Sequence, residues 1–330
     1  MSEFLPADID SFLENAGWGG AAIDPIPGDA SFRRYFRIAG DDRRAMLMFA
    51  PPPEEDPRPF IHAARWLNDN AMRAPEVYAE DAARGWVLIE DFGDDRMRDW
   101  LDANPQGEIG AYTEAVDTLA RLHTKPAGPF APYDMSVYAR EAALLTEWYC
   151  PAMRIEADAD SYLQAWNAAL APMLAKASRQ VTVLRDYHAE NIMLLNPDSS
   201  GQGAQGLIDF QDALVGHPAY DLVSLLQDAR RDVSPDLERR MLDHYLAQVD
   251  AGDDFLADYA RLGAQRNAKI VGIFARLWKR DSKPRYMAYI PRVWEALERD
   301  LQHPALAPVA AWFDANIPRQ VRDTFGGEIS

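Results

Sequence analysis

The 330 residues are 48% apolar and 26% charged with a single cysteine, Cys150, which excludes a disordered chain, an internal disulfide and a cysteine-built zinc site. Thirty-four Lys and Arg against 52 Asp and Glu give a formal charge of −18, which repels nucleic-acid backbones and anionic membrane surfaces. No apolar run approaches the roughly 18 residues of a membrane span, and Met1 to Asp10 carries Glu3, Asp8 and Asp10 where a secretory leader would be basic and then apolar, so a cytoplasmic protein is expected.

In chain order, Gly28-Asp29 reads as a turn feeding a strand over Ser31 to Ile38, with a partner strand at Ala45 to Phe49. The proline-rich Ala50 to Pro57 reads as a loop, and Pro59 to Asn70 has helical spacing through Phe60, Ala63, Ala64 and Leu67. Trp86 to Ile89 reads as a strand running into Glu90-Asp91-Phe92-Gly93, after which the pattern turns mainly helical, beginning with Tyr112, Val116, Leu119 and His123. This change places a lobe boundary near Gly93. Two short apolar stretches, Val181 to Leu184 and Gly206 to Ile208, interrupt the helices, and the polar Asn196 to Gln205 between them suits a hairpin connection. Ser234 to Ile317 reads as several further helices.

Both interrupting strands run into aspartates. Leu184-Arg-Asp-Tyr-His-Ala-Glu-Asn191 sets an aspartate and an asparagine five positions apart, and Ile208-Asp-Phe-Gln-Asp212 adds carboxylates after the next strand. Phosphoryl transfer needs this kind of set: a base to orient a hydroxyl and take its proton, and hard oxygen ligands to hold magnesium against nucleotide phosphates. Asp186 suits the first role, and Asn191 and Asp209 the second.

With these motifs the chain resembles the aminoglycoside phosphotransferase and choline kinase superfamily over about residues 25 to 290. The resemblance extends to Leu119-Ala-Arg-Leu-His123, Val87-Leu-Ile-Glu-Asp-Phe-Gly93 and Gly216-His-Pro-Ala-Tyr-Asp221. It implies an α+β, protein-kinase-like two-lobe fold: a small N-terminal nucleotide-binding lobe (1–92) with an antiparallel sheet ending in a hinge, and a larger, mainly helical C-terminal lobe (93–330) for catalysis and substrate. It also implies ATP and Mg2+ as cofactors, adenine contacts from Glu90 to Phe92, and Asp221 as a buried acceptor bracing the catalytic loop. Asp29 to Arg37, Ala50 to Glu55, Leu184 to His188 and Lys283-Pro-Arg-Tyr286 look closest to the bacterial anomeric kinases of N-acetylmuramate and N-acetylglucosamine. That branch makes sugar 1-phosphates in peptidoglycan recycling. An aminoglycoside-type antibiotic kinase and a catalytically inactive kinase-like binding module are the alternative readings.

The chain departs from the superfamily in one respect. The strand expected to carry a phosphate-binding lysine, Ala45-Met-Leu-Met-Phe49, has none, and Pro59 to Asn70 lacks the glutamate that would pair with it. Arg33, Arg34 or Arg37, with backbone N–H groups around Ser31, are the expected substitutes. Arg185 replaces the residue usual before the catalytic aspartate and is expected, with His188, to support the loop. Asp212 is a candidate metal ligand or substrate contact. Between Arg266 and Arg285 seven basic residues face one acid, and Arg266, Lys269, Arg276 and Arg280 fall on one helical stripe. A guanidinium there suits the lactyl carboxylate of N-acetylmuramate and repels cationic aminoglycosides.

Overall fold

The computed structural model describes residues 8–26, 32–40, 42–176 and 180–327. Its elements run α1 (Ile9–Asn15), β1 (Ala22–Ile26), β2 (Arg34–Ala39), β3 (Arg44–Phe49), α2 (Arg58–Asp69), β4 (Val77–Asp81), β5 (Trp86–Glu90), α3 (Met97–Ala103), α4 (Glu108–Thr124) and α5 (Met135–Ala142). A short α6 (Cys150–Ala152) and α7 (Ala159–Ala175) precede β6 (Val181–Val183), β7 (Ile192–Leu195), β8 (Ala204–Leu207) and β9 (Leu214–Gly216). Then follow α8 (Ala219–Leu226), α9 (Pro235–Leu246), α10 (Phe255–Lys279), α11 (Ile290–Leu301), α12 (Ala307–Asn316) and α13 (Arg319–Asp323).

The chain divides into two compact units, 1–108 with 190–212, and 109–189 with 213–330. In the first, a five-stranded antiparallel sheet has the order β1-β2-β3-β5-β4. β5 is apolar from Trp86 to Ile89 without alternation because it lies between β3 and β4 and is covered on both faces. One sheet face buries Phe36, Ile38, Leu47, Trp86 and Leu88 against Ile9, Phe12 and Leu13 of α1. α2 turns Phe60, Ile61, Ala63, Ala64 and Leu67 inward. Burying each large side chain is worth roughly 2 kcal/mol, against under about 1 kcal/mol per residue of helix propensity, so the apolar face fixes this helix. Phe60 stacks on Phe210, with centroids 5.1 Å apart.

The second unit is helical around α10, whose 25 residues are buried along most of their length. Val181 to Leu184 does not pair with Gly206 to Ile208, as the hairpin reading expected: β6 pairs with β9, and the hairpin is β7 with β8. β7 escaped the sequence reading because Ile192 follows Asn191 with no turn residue to separate strand from motif. Among the described residues, no helix is long and apolar enough to cross a membrane.

Candidate active site

In the helical unit, β6 delivers the chain to Leu184 and then to Arg185, a non-glycine residue at φ 71°. That left-handed backbone is held from several sides. Asp221, in the first turn of α8 and fully buried, accepts the N–H groups of Leu184 at 2.6 Å and Arg185 at 2.9 Å. Burial pushes the Asp221 carboxyl up to about 7, even against these two donors. Ser224 Oγ donates to the Arg185 carbonyl at 3.2 Å, and the Arg185 guanidinium bonds to Glu141 of α5. Farther along, Asp228 accepts the N–H of Ala189 at 3.3 Å and of Arg230 at 2.8 Å.

Asp186 thus stands on a backbone fixed at both ends. Its side chain lines a cavity of about 80 Å³ with His188, Asp228, Arg230, Arg266 and Lys269. Burial by itself would raise its pKa, but the Lys269 ammonium, with Arg266 and Arg185, outweighs burial and holds the carboxyl below the usual range. It is therefore ionised at neutral pH. His188 is driven the other way by burial, and Arg230 Nη1 lies 3.1 Å from its Nε2, so the ring is a neutral acceptor. Arg266 and Lys269 line the cavity rather than forming a solvated helix face; Arg276, half-buried on the same helix, does not line it. Arg266 is 5% exposed and donates to Ser224 Oγ at 2.8 Å.

In the sheet unit, the β7–β8 hairpin runs from Ile192 opposite Leu207 to Leu195 opposite Ala204. Its closing bond, Ile208 N–H to the Asn191 carbonyl at 3.1 Å, brings Asn191 and Asp209 face to face. Asn191 Nδ2 lies 3.3 Å from one Asp209 oxygen, and Gln211 Nε2 donates to the other at 2.8 Å. Asp209 takes φ 61°, which an aspartate tolerates better than most side chains. The Asn191 amide turns its nitrogen to Asp209 here; with that amide reversed, its oxygen and the Asp209 carboxylate would suit magnesium, which takes one or two protein oxygens and fills its octahedron with water and phosphate. Asp212 is exposed.

Ser31 lies outside the described residues. Arg33 pairs with Glu55 at 3.5 Å, and Arg34 is exposed. Arg33, Glu55 and Asp209 all act on the buried Tyr35 hydroxyl, whose pKa burial raises, so they share one neighbourhood. Arg37 corrects the sequence reading. Its guanidinium is ion-paired with Asp91 at 2.7 Å and Asp94 at 2.9 Å, and also bonds to the Gly93 carbonyl at 3.3 Å. It therefore fastens β2 to the hinge rather than standing open to phosphate. Glu90 pairs with Arg73 at 2.7 Å and donates its N–H to the Glu76 carbonyl at 2.9 Å, so that N–H is already committed. The Phe92 ring fits against Gly206, where a Cβ would come within 2.5 Å of it, and Arg73 lies 4.7 Å from the ring centroid. Glu90, Phe92, Arg44, Arg73 and Leu194 line an open cavity of about 510 Å³.

Glu141, Asp228 and Arg230 escaped the sequence reading. Glu141 is a lone helical glutamate with no spacing signal. Asp228 had one, being an acid two residues past the end of the mainly apolar α8, which carries Asp221 in its first turn.

A model of the phosphotransferase enzyme family, abbreviated APH, matches residues 22–264. The chain is 38% identical to the N-acetylmuramate/N-acetylglucosamine kinase of Caulobacter vibrioides, over 94% of this chain and 96% of that protein. It is 35% identical to the protein of the same name from Pseudomonas aeruginosa, over 89% of each. Among solved structures, choline kinase LicA from Streptococcus pneumoniae is similar at a TM-score of 0.63 with 12% identity, covering 92% of this chain and 99% of that one. The ADP-bound aminoglycoside phosphotransferase APH(2'')-Ib gives 0.62 with 15% identity, covering 89% and 97%. These two share the fold, a kinase-like α+β architecture.

Proposed function

The chain belongs to the phosphotransferase enzyme family, and on that premise we propose that it is an ATP- and magnesium-dependent cytoplasmic kinase of amino sugars. It phosphorylates the anomeric hydroxyl of N-acetylmuramate and N-acetylglucosamine to the sugar 1-phosphate, a step in peptidoglycan recycling. The observation that carries this reading is the similarity, at 32% to 38% identity over most of the chain, to kinases named for those two sugars.

In this reading residues 1–92 form the nucleotide-binding lobe and 93–330 the catalytic and substrate-binding lobe. The Asp186 carboxylate accepts the proton of the anomeric hydroxyl as that oxygen bonds to the γ-phosphorus; the bond to the β–γ bridging oxygen breaks and ADP leaves. Its ionised state supports this role. Asn191 and Asp209 hold magnesium, which when bound offsets the charge of the phosphates. Arg33 and Arg34 serve the nucleotide phosphates with Ser31, and Glu90 and Phe92 serve the adenine. Arg266, Lys269, Arg276 and Asp212 serve the sugar, while Arg185, His188 and Asp221 support the loop.

Purified protein with ATP and magnesium is offered N-acetylmuramate, N-acetylglucosamine, choline and an aminoglycoside, with phosphorus NMR on the products. Anomeric phosphate on the two amino sugars alone is the expected result. Transfer to choline or the aminoglycoside instead, or to none of the four, overturns the reading.

A further inference from the structure

The carboxamide one residue before Asp228 is gripped by three helices and has no task in the reaction as described. Gln227 caps the end of α8, where its N–H still reaches the Val223 carbonyl at 2.8 Å, and its side chain is buried. Its Nε2 donates to Glu238 Oε1 of α9 and to Asp300 Oδ1 of α11, both at 3.1 Å, and its Oε1 accepts from Asn267 Nδ2 of α10 at 2.7 Å. Both amide hydrogens and the carbonyl are thus engaged. Glu238 is held in turn by the Tyr259 hydroxyl and the Arg299 guanidinium, each at 2.7 Å. Asp300 packs so closely on α10 that a Cβ at Gly263 would come within 2.3 Å of its Oδ2. Burial, with the Glu238 charge, pushes the Asp300 carboxyl well above the usual carboxylate range, so a further negative charge in this cluster is strongly opposed.

What this grip orients is the next residue. Between the end of α8 at Leu226 and the start of α9 at Pro235 the chain is irregular, so no helix fixes Asp228. Yet Asp228 anchors the far end of the Asp186 loop by accepting the Ala189 N–H at 3.3 Å. It also acts by charge on His188 and shares the cavity with Arg230, Arg266 and Lys269, so a displaced Asp228 would alter the charge around Asp186 as well as its backbone. Gln227 holds the chain on one side of Asp228, and on the other Arg292 of α11 donates to the Ala229 carbonyl at 3.1 Å. A buried polar cluster adds little stability over an apolar core of the same shape, but it fixes direction, because its bonds are directional.

We propose that Gln227 is a positioning residue for phosphoryl transfer: its buried amide fixes the chain past the end of α8 so that the Asp228 carboxylate meets the Ala189 N–H and Asp186 keeps its place. The inference rests on the reading of Asp186 as the base.

The test compares the full-length wild type with Gln227→Glu, Gln227→Met, the exchange Gln227→Glu/Glu238→Gln and Tyr259→Phe, with kcat and the KM for ATP read separately at a temperature where circular dichroism shows each protein folded. Wild-type transfer to an amino sugar, and its loss in Asp186→Asn, are established first, so that failure of the kinase reading or of the base shows there and not at Gln227. Gln227→Glu keeps the shape but sets a third acid between two others, and should lower kcat by about tenfold at unchanged KM for ATP, the order of loss that a small misplacement of a reacting group produces. Gln227→Met should lose about as much. The exchange returns one amide and two acids to the cluster, and kcat should recover to within about threefold of wild type. Tyr259→Phe takes a bond from Glu238 and none from Gln227, so it should lower the unfolding temperature and leave kcat within about twofold. Wild-type kcat in either single Gln227 variant, an exchange no better than Gln227→Glu, or a loss in Tyr259→Phe equal to that in Gln227→Met overturns the proposal. Should neither single Gln227 variant fold, Asn267→Ala, which takes only the bond to Gln227 Oε1, replaces them: a lowered kcat at unchanged KM for ATP supports the proposal, and wild-type kcat overturns it.

Discussion

Residues 184–189 and the 191–209 pair reach fixed side-chain positions by opposite means. Around Asp186 the backbone is gripped by the buried acids Asp221 and Asp228, and the charges outnumber the apolar side chains lining the cavity. Asn191 and Asp209 rely on a four-pair hairpin and its closing bond, and their own contact, at 3.3 Å, is solvent-exposed. Buried carboxylates make position depend on protonation, whereas a strand register makes it depend on backbone hydrogen bonds. The first region should therefore answer to pH and to charge removal, and the second to ligand concentration.

The sharpest break in this comparison is Asp186→Asn. On the proposed role of Asp186 as base, the substitution should cost kcat about a thousandfold, on the order of 4 kcal/mol of barrier, while isothermal titration shows ATP binding retained. Comparable turnover would take Asp186 out of the chemistry. On the proposed metal role, Asp209→Asn should cost about a hundredfold and shift the magnesium dependence of activity upward. An unchanged magnesium titration would separate Asp209 from the metal.

Arg37→Ala leaves Asp91, whose side chain is 2% exposed, without its main cation, and should lower unfolding free energy by about 2 kcal/mol in chemical denaturation. Asp221→Asn probes the pH-sensitive side. Because the folded-state pKa, about 7, exceeds that of an unfolded aspartate, the folded protein binds the extra proton between about pH 4 and 7. Wild-type stability should thus fall relative to the variant as pH rises across that window, by at most about 1.4 kcal/mol per unit, and the difference should be constant above it. Smallest is Arg266→Ala, which should weaken N-acetylmuramate use by roughly fivefold, about 1 kcal/mol, beyond any loss with N-acetylglucosamine. Equal losses in kcat/KM for the two sugars would argue against carboxylate recognition.

What was legible in the sequence followed from local constraint. The Asp-x4-Asn spacing, the aspartate after the second strand and the helix opening at Asp221 each sit where a strand or helix terminus dictates a residue type. What was not legible depends on distant partners. Arg37 read as an available cation because Asp91 and Asp94 lie 54 and 57 residues away, and Glu141 read as nothing because Arg185 lies 44 residues on. Strand pairing failed for the same reason: Val181 to Val183 has an equally good apolar match in two later segments, and only the packing of the helical unit selects Leu214 to Gly216.

Arg185, next to Asp186, and Asp209, facing Asn191, both adopt a backbone conformation that an L-residue occupies at a cost of order 1 kcal/mol or more. Selection for folding alone would drift toward glycine at either place, giving a sturdier but idle protein. A descendant released from its chemistry should record that release first at these two positions, well before its core begins to change.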